Sequence, residues 1–271
     1  MPLTVFQQEL LALLARPGGS DGYLAGGTAL NFAPTSGRFS DDIDFFHDSM
    51  EAVAESFARD SYVLKEAGYH LKVLLSQPGL IRALVSAGDR QTLVDWAHDS
   101  AWRFMPLVRD EMGGQVLHEV DLAINKVLTL AGRDEARDFV DILHAHEHVL
   151  PLGAMVWAAV GKDPGFTPAS LLEQLKRRGR YQPLDIARLA LARPFDLVEA
   201  KTVWQAALSD ADRFIRGRPH EEVGCLYHAP RRGHFAAPSP GLSLPEQGLV
   251  PHFGQPGGIL PRVADIERSQ P

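Results

Sequence analysis

The chain contains a single cysteine, Cys225, so no disulfide can form within it. A lone thiol fits a reducing compartment, and a cytoplasmic location is expected. Long apolar runs are missing as well. No stretch approaches the roughly 18 uninterrupted apolar residues of a membrane span, so no membrane association is expected. The start, Met1-Pro2-Leu3-Thr4-Val5-Phe6, has neither a basic stretch nor a long apolar core, and no signal peptide is expected. Two glycine signatures are absent: G-x-x-x-x-G-K-[ST], and G-x-G-x-x-G after a strand. Their absence removes the readings as a P-loop NTPase and a dinucleotide-binding fold. Positive charge is also in deficit, with 27 Lys and Arg against 34 Asp and Glu and a net charge of −7. A general nucleic-acid coat is thereby excluded, and any polyanion must meet a local basic patch. What remains is an ordinary globular composition, 45% hydrophobic and 23% charged, over 271 residues. That length holds two modest domains, or one with extensions.

The most informative local feature is Gly26-Gly27-Thr28 followed by Asp42-Ile43-Asp44. In a strand, residues i and i+2 point to the same side, so Asp42 and Asp44 project together. Two neighbouring carboxylates repel unless a cation lies between them, and Mg²⁺ takes carboxylates together with substrate phosphates. Backbone N–H groups in a glycine-rich turn supply a matching anion cradle. An acidic turn beside an ordinary Gly-Gly turn explains either half, but explains the combination poorly.

Residues ~3–16 read as an amphipathic helix, Tyr23–Gly26 as a short strand, Thr28–Ala33 as a helical turn ended by Pro34, and Ile43–Phe46 as a second strand. Glu51–Gly68 is a helix candidate. Ile81–Ser86 and Thr92–Ala97 carry strand signals and are joined by the turn Ala87-Gly88-Asp89-Arg90. From ~117 the period becomes helical, over Val120–Leu130, Arg133–His144, Leu152–Val160, Pro168–Arg178, Pro183–Leu191 and Val198–Arg216. The last ~50 residues are rich in Pro and Gly. They read either as an arm anchored by Leu226, Tyr227, Phe235, Phe253, Ile259 and Leu260, or as a partly disordered tail. The expectation is an α+β protein with an N-terminal mixed domain (1–115), a helical domain (116–216) and an extended C-terminal arm (217–271).

Phosphoryl transfer with two metals wants a third carboxylate near the first pair. Asp95, in the strand-like run Thr92–Ala97, is the best candidate; a solvated strand-edge Asp is the plain alternative. Further on, Lys126, Arg133, Arg137 and Asp141 recur at i, i+7, i+11 and i+15. If Gly132 leaves the helix intact, they form one polar stripe on a buried element. If Gly132 breaks it, Asp138 and Asp141 pair at i, i+3. Buried charges need partners either way: a triphosphate for Lys126 and Arg137, or an internal Arg–Asp network. Lys176-Arg177-Arg178-Gly179-Arg180 is the densest basic run and reads as RNA-phosphate binding or as an exposed helix end. His144, His146 and His148 lack a third well-spaced ligand, and a solvated helix end is the better reading.

Ala25-Gly-Gly-Thr-Ala-Leu30, Arg38-x-Ser40-x-Asp42-Ile-Asp44-Phe45 and Lys126…Arg133…Arg137-Asp138…Asp141 together resemble the DNA polymerase β nucleotidyltransferase superfamily. Within it they look like the AbiEii/AbiGii branch of toxin–antitoxin and abortive-infection (phage defence) toxins, which includes the mycobacterial MenT-type enzymes. The resemblance covers ~20–215 and leaves the Pro/Gly-rich tail outside it. It implies a small mixed nucleotidyltransferase sheet with flanking helices followed by a helical domain. It also implies a nucleoside triphosphate with Mg²⁺ or Mn²⁺, a tRNA 3′ end as RNA acceptor, and a cognate antitoxin. Carried over by position, Gly26, Gly27, Thr28, Arg38 and Ser40 hold the nucleotide, and Asp42 and Asp44, with Asp95 by placement, hold the metals. Lys126, Arg133 and Arg137 face the phosphates, and Asp138 or Asp141 takes the last acidic role. Two other readings stay open: the same transfer to a protein or small molecule, and a nucleotide-binding regulatory module without turnover.

Overall fold

The computed structural model describes residues 3–15, 22–32, 36–112 and 114–261. The chain divides into two compact units. The first comprises Met1–Ala101, Leu107–Leu122 and Ala190–Pro194; the second comprises Trp102–Pro106, Ala123–Leu189 and Phe195–Pro271.

In the first unit, α1 (Val5–Leu14) starts at a capping box, where Thr4 accepts from the Gln7 amide and Gln7 reaches back to the Thr4 N–H. It is followed by β1 (Tyr23–Leu24), α2 (Gly26–Leu30), β2 (Asp42–His47), α3 (Met50–Glu66), β3 (His70–Gln77), β4 (Leu80–Ala87) and β5 (Arg90–His98). The two-residue strand β6 (Trp102–Arg103) belongs to the second unit, and β7 (Val108–Asp110) and β8 (Gly114–Val116) return to the first. The main sheet runs β3-β4-β5-β2-β1-β8-β7. It is mixed: β2 lies parallel to β5 and β1 parallel to β8, and the other neighbours are antiparallel.

Strand alternation gives this sheet two chemically different faces. One inner face carries Ile43 and Phe45 of β2, Ile81, Ala83 and Val85 of β4, and Val94 and Trp96 of β5. These share a core with Leu10, Leu11 and Leu14 of α1 and Val53 and Leu64 of α3. Trp96 donates its Nε1–H to Asp60 of α3 at 2.8 Å, so the buried indole is satisfied. The opposite face carries Asp42, Asp44, Asp95 and Arg82. The hairpin β4–β5 turns on Gly88-Asp89 between the paired Ala87 and Arg90, and Gly88 supplies the positive φ of 59° that the turn needs.

The second unit contains most of α4 (Glu119–Gly132), then α5 (Ala136–His148), α6 (Leu152–Lys162), α7 (Pro168–Leu175), α8 (Pro183–Ala187) and α9 (Leu197–Arg216). Helix α6 is buried from Leu152 to Val160 and packs against α7 and α9. The remaining strands are β9 (Leu226–Ala229), β10 (His234–Phe235), β11 (Val250–His252) and β12 (Gln255–Pro256), with α10 (Leu244–Gln247) before β11. Strands β10-β9-β11 form a small sheet, and β12 pairs with β6. Cys225 lies in its core with Trp157, Tyr227, Ala229 and Leu249, and burial pushes its thiol up to about 12.

Several boundaries differ from the sequence reading. Helix α4 does end at Gly132, but α5 begins at Ala136, and α8 stops at Ala187 rather than Leu191. The edge strand β3 is not in the sequence reading. Leu71, Val73 and Leu75 fall at period 2, but the adjacent Leu74 breaks the alternation and every residue except the half-buried Leu71 is exposed. Residues 217–261 carry strands β9–β12 and helix α10: Leu226 and Tyr227 are buried, while Phe253 and Leu260 are exposed. The helical turn expected over Thr28–Ala33 is α2, Gly26–Leu30 with its C-cap at Asn31, while Ala33 and Pro34, like the chain after 261, lie outside the described residues.

His228 and His252 share one face of the small sheet with Phe235, at ring distances of 5.3 and 5.4 Å. Burial holds both imidazoles below their ordinary value of 6.5, as it does His118 and His146. The unfolded chain therefore binds protons at a higher pH than the folded one, and stability falls as pH drops below about 6.5. Thermal melts are expected to show a lower Tm at pH 5 than at pH 7.5, and His228→Phe should flatten that decline.

Candidate active site

Gly26 and Gly27 open α2 directly after β1, opposite the strand that carries the carboxylate pair. Gly26 has φ 61°, and a Cβ built there would lie 1.9 Å from Asp44 Oδ2. Only glycine lets the main chain come this close to the carboxylate. A Cβ on Gly27 would meet Arg38 Nη2 at 2.7 Å and Ser40 Oγ at 3.2 Å. The main chain of both glycines thus packs against the polar side chains that the sequence singles out.

Thr28 is fully buried. Its hydroxyl donates to the main-chain carbonyl of Asp42 and lies 3.1 Å from the Ser40 hydroxyl. Ser40 in turn donates to Asp42 Oδ1 at 3.3 Å. Thr28 therefore ties the glycine turn to β2. The loop 36–40 is held from several sides. Gln7 Nε2 donates to the Ser40 carbonyl at 3.0 Å, and Ser36 pairs with Asn31. Residues 190–192 add a strap: Phe39 N–H donates to Ala190 O at 2.7 Å, and Ala192 N–H to Gly37 O at 2.8 Å. Arg38 pairs there with Leu191 and is 3% exposed.

Asp95 is brought beside the pair. Asp44 and Asp95 are direct register partners across the parallel strands β2 and β5, and Asp95 is also the register partner of Arg82 on β4. Arg82 grips both Asp95 oxygens, Nε at 2.7 Å and Nη2 at 2.6 Å. The sequence reading missed Arg82, although a signal was there. Counting back from the two-residue turn Gly88-Asp89 sets Arg82 opposite Asp95.

The second group lies in the other unit. Lys126 Nζ, from α4, bridges two carboxylates of α5, Asp138 Oδ1 at 2.9 Å and Asp141 Oδ2 at 2.8 Å. Arg133 holds the other Asp138 oxygen at 2.7 Å. Burial alone would raise Asp138, but Lys126 and Arg133 outweigh it and hold its carboxyl below the usual range. That stabilisation is present at neutral pH and is lost only as pH falls through the depressed value. Arg137, a quarter exposed, lies 3.7 Å from Glu135. In the basic run, Lys176 pairs with Glu173 and Asp212, and Arg178 with Asp134 and the Ala131 carbonyl, while Arg177 and Arg180 are exposed. His144 and His148 stack at 4.3 Å and His146 accepts from the Leu152 N–H, so these rings pack locally.

Residues 10–217 match the family described as "Nucleotidyl transferase AbiEii toxin, Type IV TA system". The chain belongs to the AbiEii nucleotidyltransferase toxins. Its fold is similar to that of MenT4, a nucleotidyltransferase toxin from Mycobacterium tuberculosis. The TM-score is 0.51 at 20% identity, over 80% of this chain and 84% of that one. A nucleotidyltransferase structure and JHP933, both from Helicobacter pylori, align over 79% of this chain at 18% and 17% identity. They cover 97% and 95% of their own lengths, with TM-scores of 0.47 and 0.46. No curated protein matches the sequence.

Membership of the AbiEii toxins implies a nucleoside triphosphate substrate, a divalent cation and an antitoxin partner. The residues fit such a cation. Asp42 and Asp44 present two carboxylates from one strand face, beside a main-chain approach that only glycine allows. Among the described residues no group of three or more His, Cys, Asp or Glu could hold a metal ion alone. Two carboxylates suffice where substrate phosphates complete the shell. No helix of the described residues is long and apolar enough to cross a membrane.

Lys126→Met leaves Asp138 and Asp141 buried with Arg133 as their remaining named cation. Removing one member of a buried ion pair costs about 3–5 kcal/mol. Urea denaturation is expected to show a loss of that size.

Proposed function

We propose that this AbiEii toxin transfers a nucleotide from a nucleoside triphosphate to the 3′ end of tRNA with Mg²⁺ as its cation. The acceptor hydroxyl attacks the α-phosphorus, the P–O bond to the β,γ-phosphates breaks, and pyrophosphate leaves. One observation carries the reading: Asp42 and Asp44 project from one face of β2, with the Gly26 main chain packed against Asp44. Asp42 and Asp44 would hold the divalent cation, which neutralises phosphate charge when bound. Gly26 and Gly27 let the triphosphate approach the main chain. Arg38 and Ser40 shape that approach, with Thr28 fixing the turn to β2. Asp95 adds the third carboxylate of this face and, through Arg82, takes part in its charge balance.

Lys126, Arg133 and Arg137 are assigned to phosphate charge, and Asp138 and Asp141 hold Lys126 in one position. The exposed cations Arg177 and Arg180 support an RNA acceptor, since a net charge of −7 leaves RNA to local patches. Action within the cytoplasm and in phage defence belongs to this same reading.

The test incubates the protein with each α-³²P-labelled nucleoside triphosphate and Mg²⁺, with total tRNA in one arm and cell protein in another. Label is expected in tRNA, released by 3′-end digestion. Asp44→Ala should lower transfer by at least about 10²–10³-fold while leaving the circular dichroism spectrum unchanged. Label in protein alone would replace the acceptor, and an active Asp44→Ala protein would remove the assignment.

A further inference from the structure

The outer face of the main sheet carries a row of charge across three adjacent strands. Arg82 on β4 is opposite Asp95 on β5, and Asp95 is opposite Asp44 on β2, with Asp42 two residues further along β2. Like charges directly opposite one another across strands destabilise a sheet. Asp95 is 5% exposed, so its charge has little water to rely on. Arg82 answers it with a two-point grip, and its own side chain stays 40% exposed. The guanidinium is pushed well above its ordinary value, chiefly by the hydrogen bond to Asp95, against the pull of burial and with help from Asp95, Asp42 and Asp44.

A carboxylate already gripped at both oxygens is a poor ligand for a second cation. Any divalent ion on Asp95 would also sit against a fixed guanidinium charge. We propose that Arg82 is a positioning residue that withholds Asp95 from the metal, so that the protein binds a single divalent ion through Asp42 and Asp44. The proposal rests on the reading of Asp42 and Asp44 as metal ligands. It assigns Arg82 the place that a second cation would otherwise take on this face.

The experiment counts bound Mn²⁺ by electron paramagnetic resonance on the full chain, with a non-hydrolysable nucleoside triphosphate present. Folding is followed by circular dichroism. The wild type is expected to bind a single ion per chain. Asp95→Asn should keep that ion, because Asp95 does not ligate it. Arg82→Gln should take up a second ion at least about tenfold more tightly than the wild type does, and Arg82→Gln/Asp95→Asn should lose it again. Arg82→Met, which keeps the aliphatic stem, gives the same readout in case the Gln variant is poorly folded. Folded Arg82 variants with the wild-type ion count and affinity would overturn the proposal. So would an Asp95→Asn protein that loses the single ion, since Asp95 would then be a ligand in the native site. A wild type that binds no Mn²⁺ defeats the metal reading itself, and this outcome is distinct from the other two.

Discussion

Carboxylates that share one face of a sheet must be neutralised, and this requirement organises the first unit. Asp42, Asp44 and Asp95 all project away from the core that Ile43, Phe45, Val94 and Trp96 build on the other side. Strand alternation forces this separation: each inward apolar residue sends its neighbour outward. The core cannot be made without also making the charged face. The polar network from Thr28 through Ser40 to Asp42 then fixes the glycine turn against that face.

The second unit solves the same electrostatic problem in the opposite way. Asp138 and Asp141 are almost completely buried, and Lys126 and Arg133 match them charge for charge. Such a cluster costs desolvation and repays it only when its geometry is complete. It fastens α4 to α5 by a pattern that an apolar pair would not specify. The apolar helix α6 and the aromatic contacts of Phe139 with Tyr181 and Trp204 supply the bulk of the packing around it.

Much of this was legible because it follows short periods and local turns. The i, i+2 spacing of Asp42 and Asp44, the placement of Asp95 in a neighbouring strand and the switch to helical period near residue 117 all read directly. The mixed sheet and the nucleotidyltransferase family followed from the same motifs. What escaped depends on long-range pairing. Strand β3 is a largely exposed edge in which Leu74 interrupts the period-2 spacing of Leu71, Val73 and Leu75, so its alternation does not stand out. The C-terminal strands are two to four residues long and gain their order from β6 and from one another, which no local signal announces. Arg82 was recoverable by counting from the hairpin turn. The contact of residues 190–192 with residues 37–39 was not, because nothing in either segment names the other.

That contact has a bearing on how the toxin comes into being. The amides and carbonyls that join Gly37 and Phe39 to Ala190 and Ala192 are separated by about 150 residues of chain. Closing so long a loop costs entropy before any bond forms, so pairings of this kind arrive late in folding. The loop that carries Arg38 and Ser40 receives its strap only after the segment preceding α9 has been made. A nascent or truncated chain ending before residue 190 holds both glycines and all three outer carboxylates, yet lacks the main chain that straps residues 37–39. Synthesis itself thus sets a delay between the appearance of the chemical groups and the completion of the site.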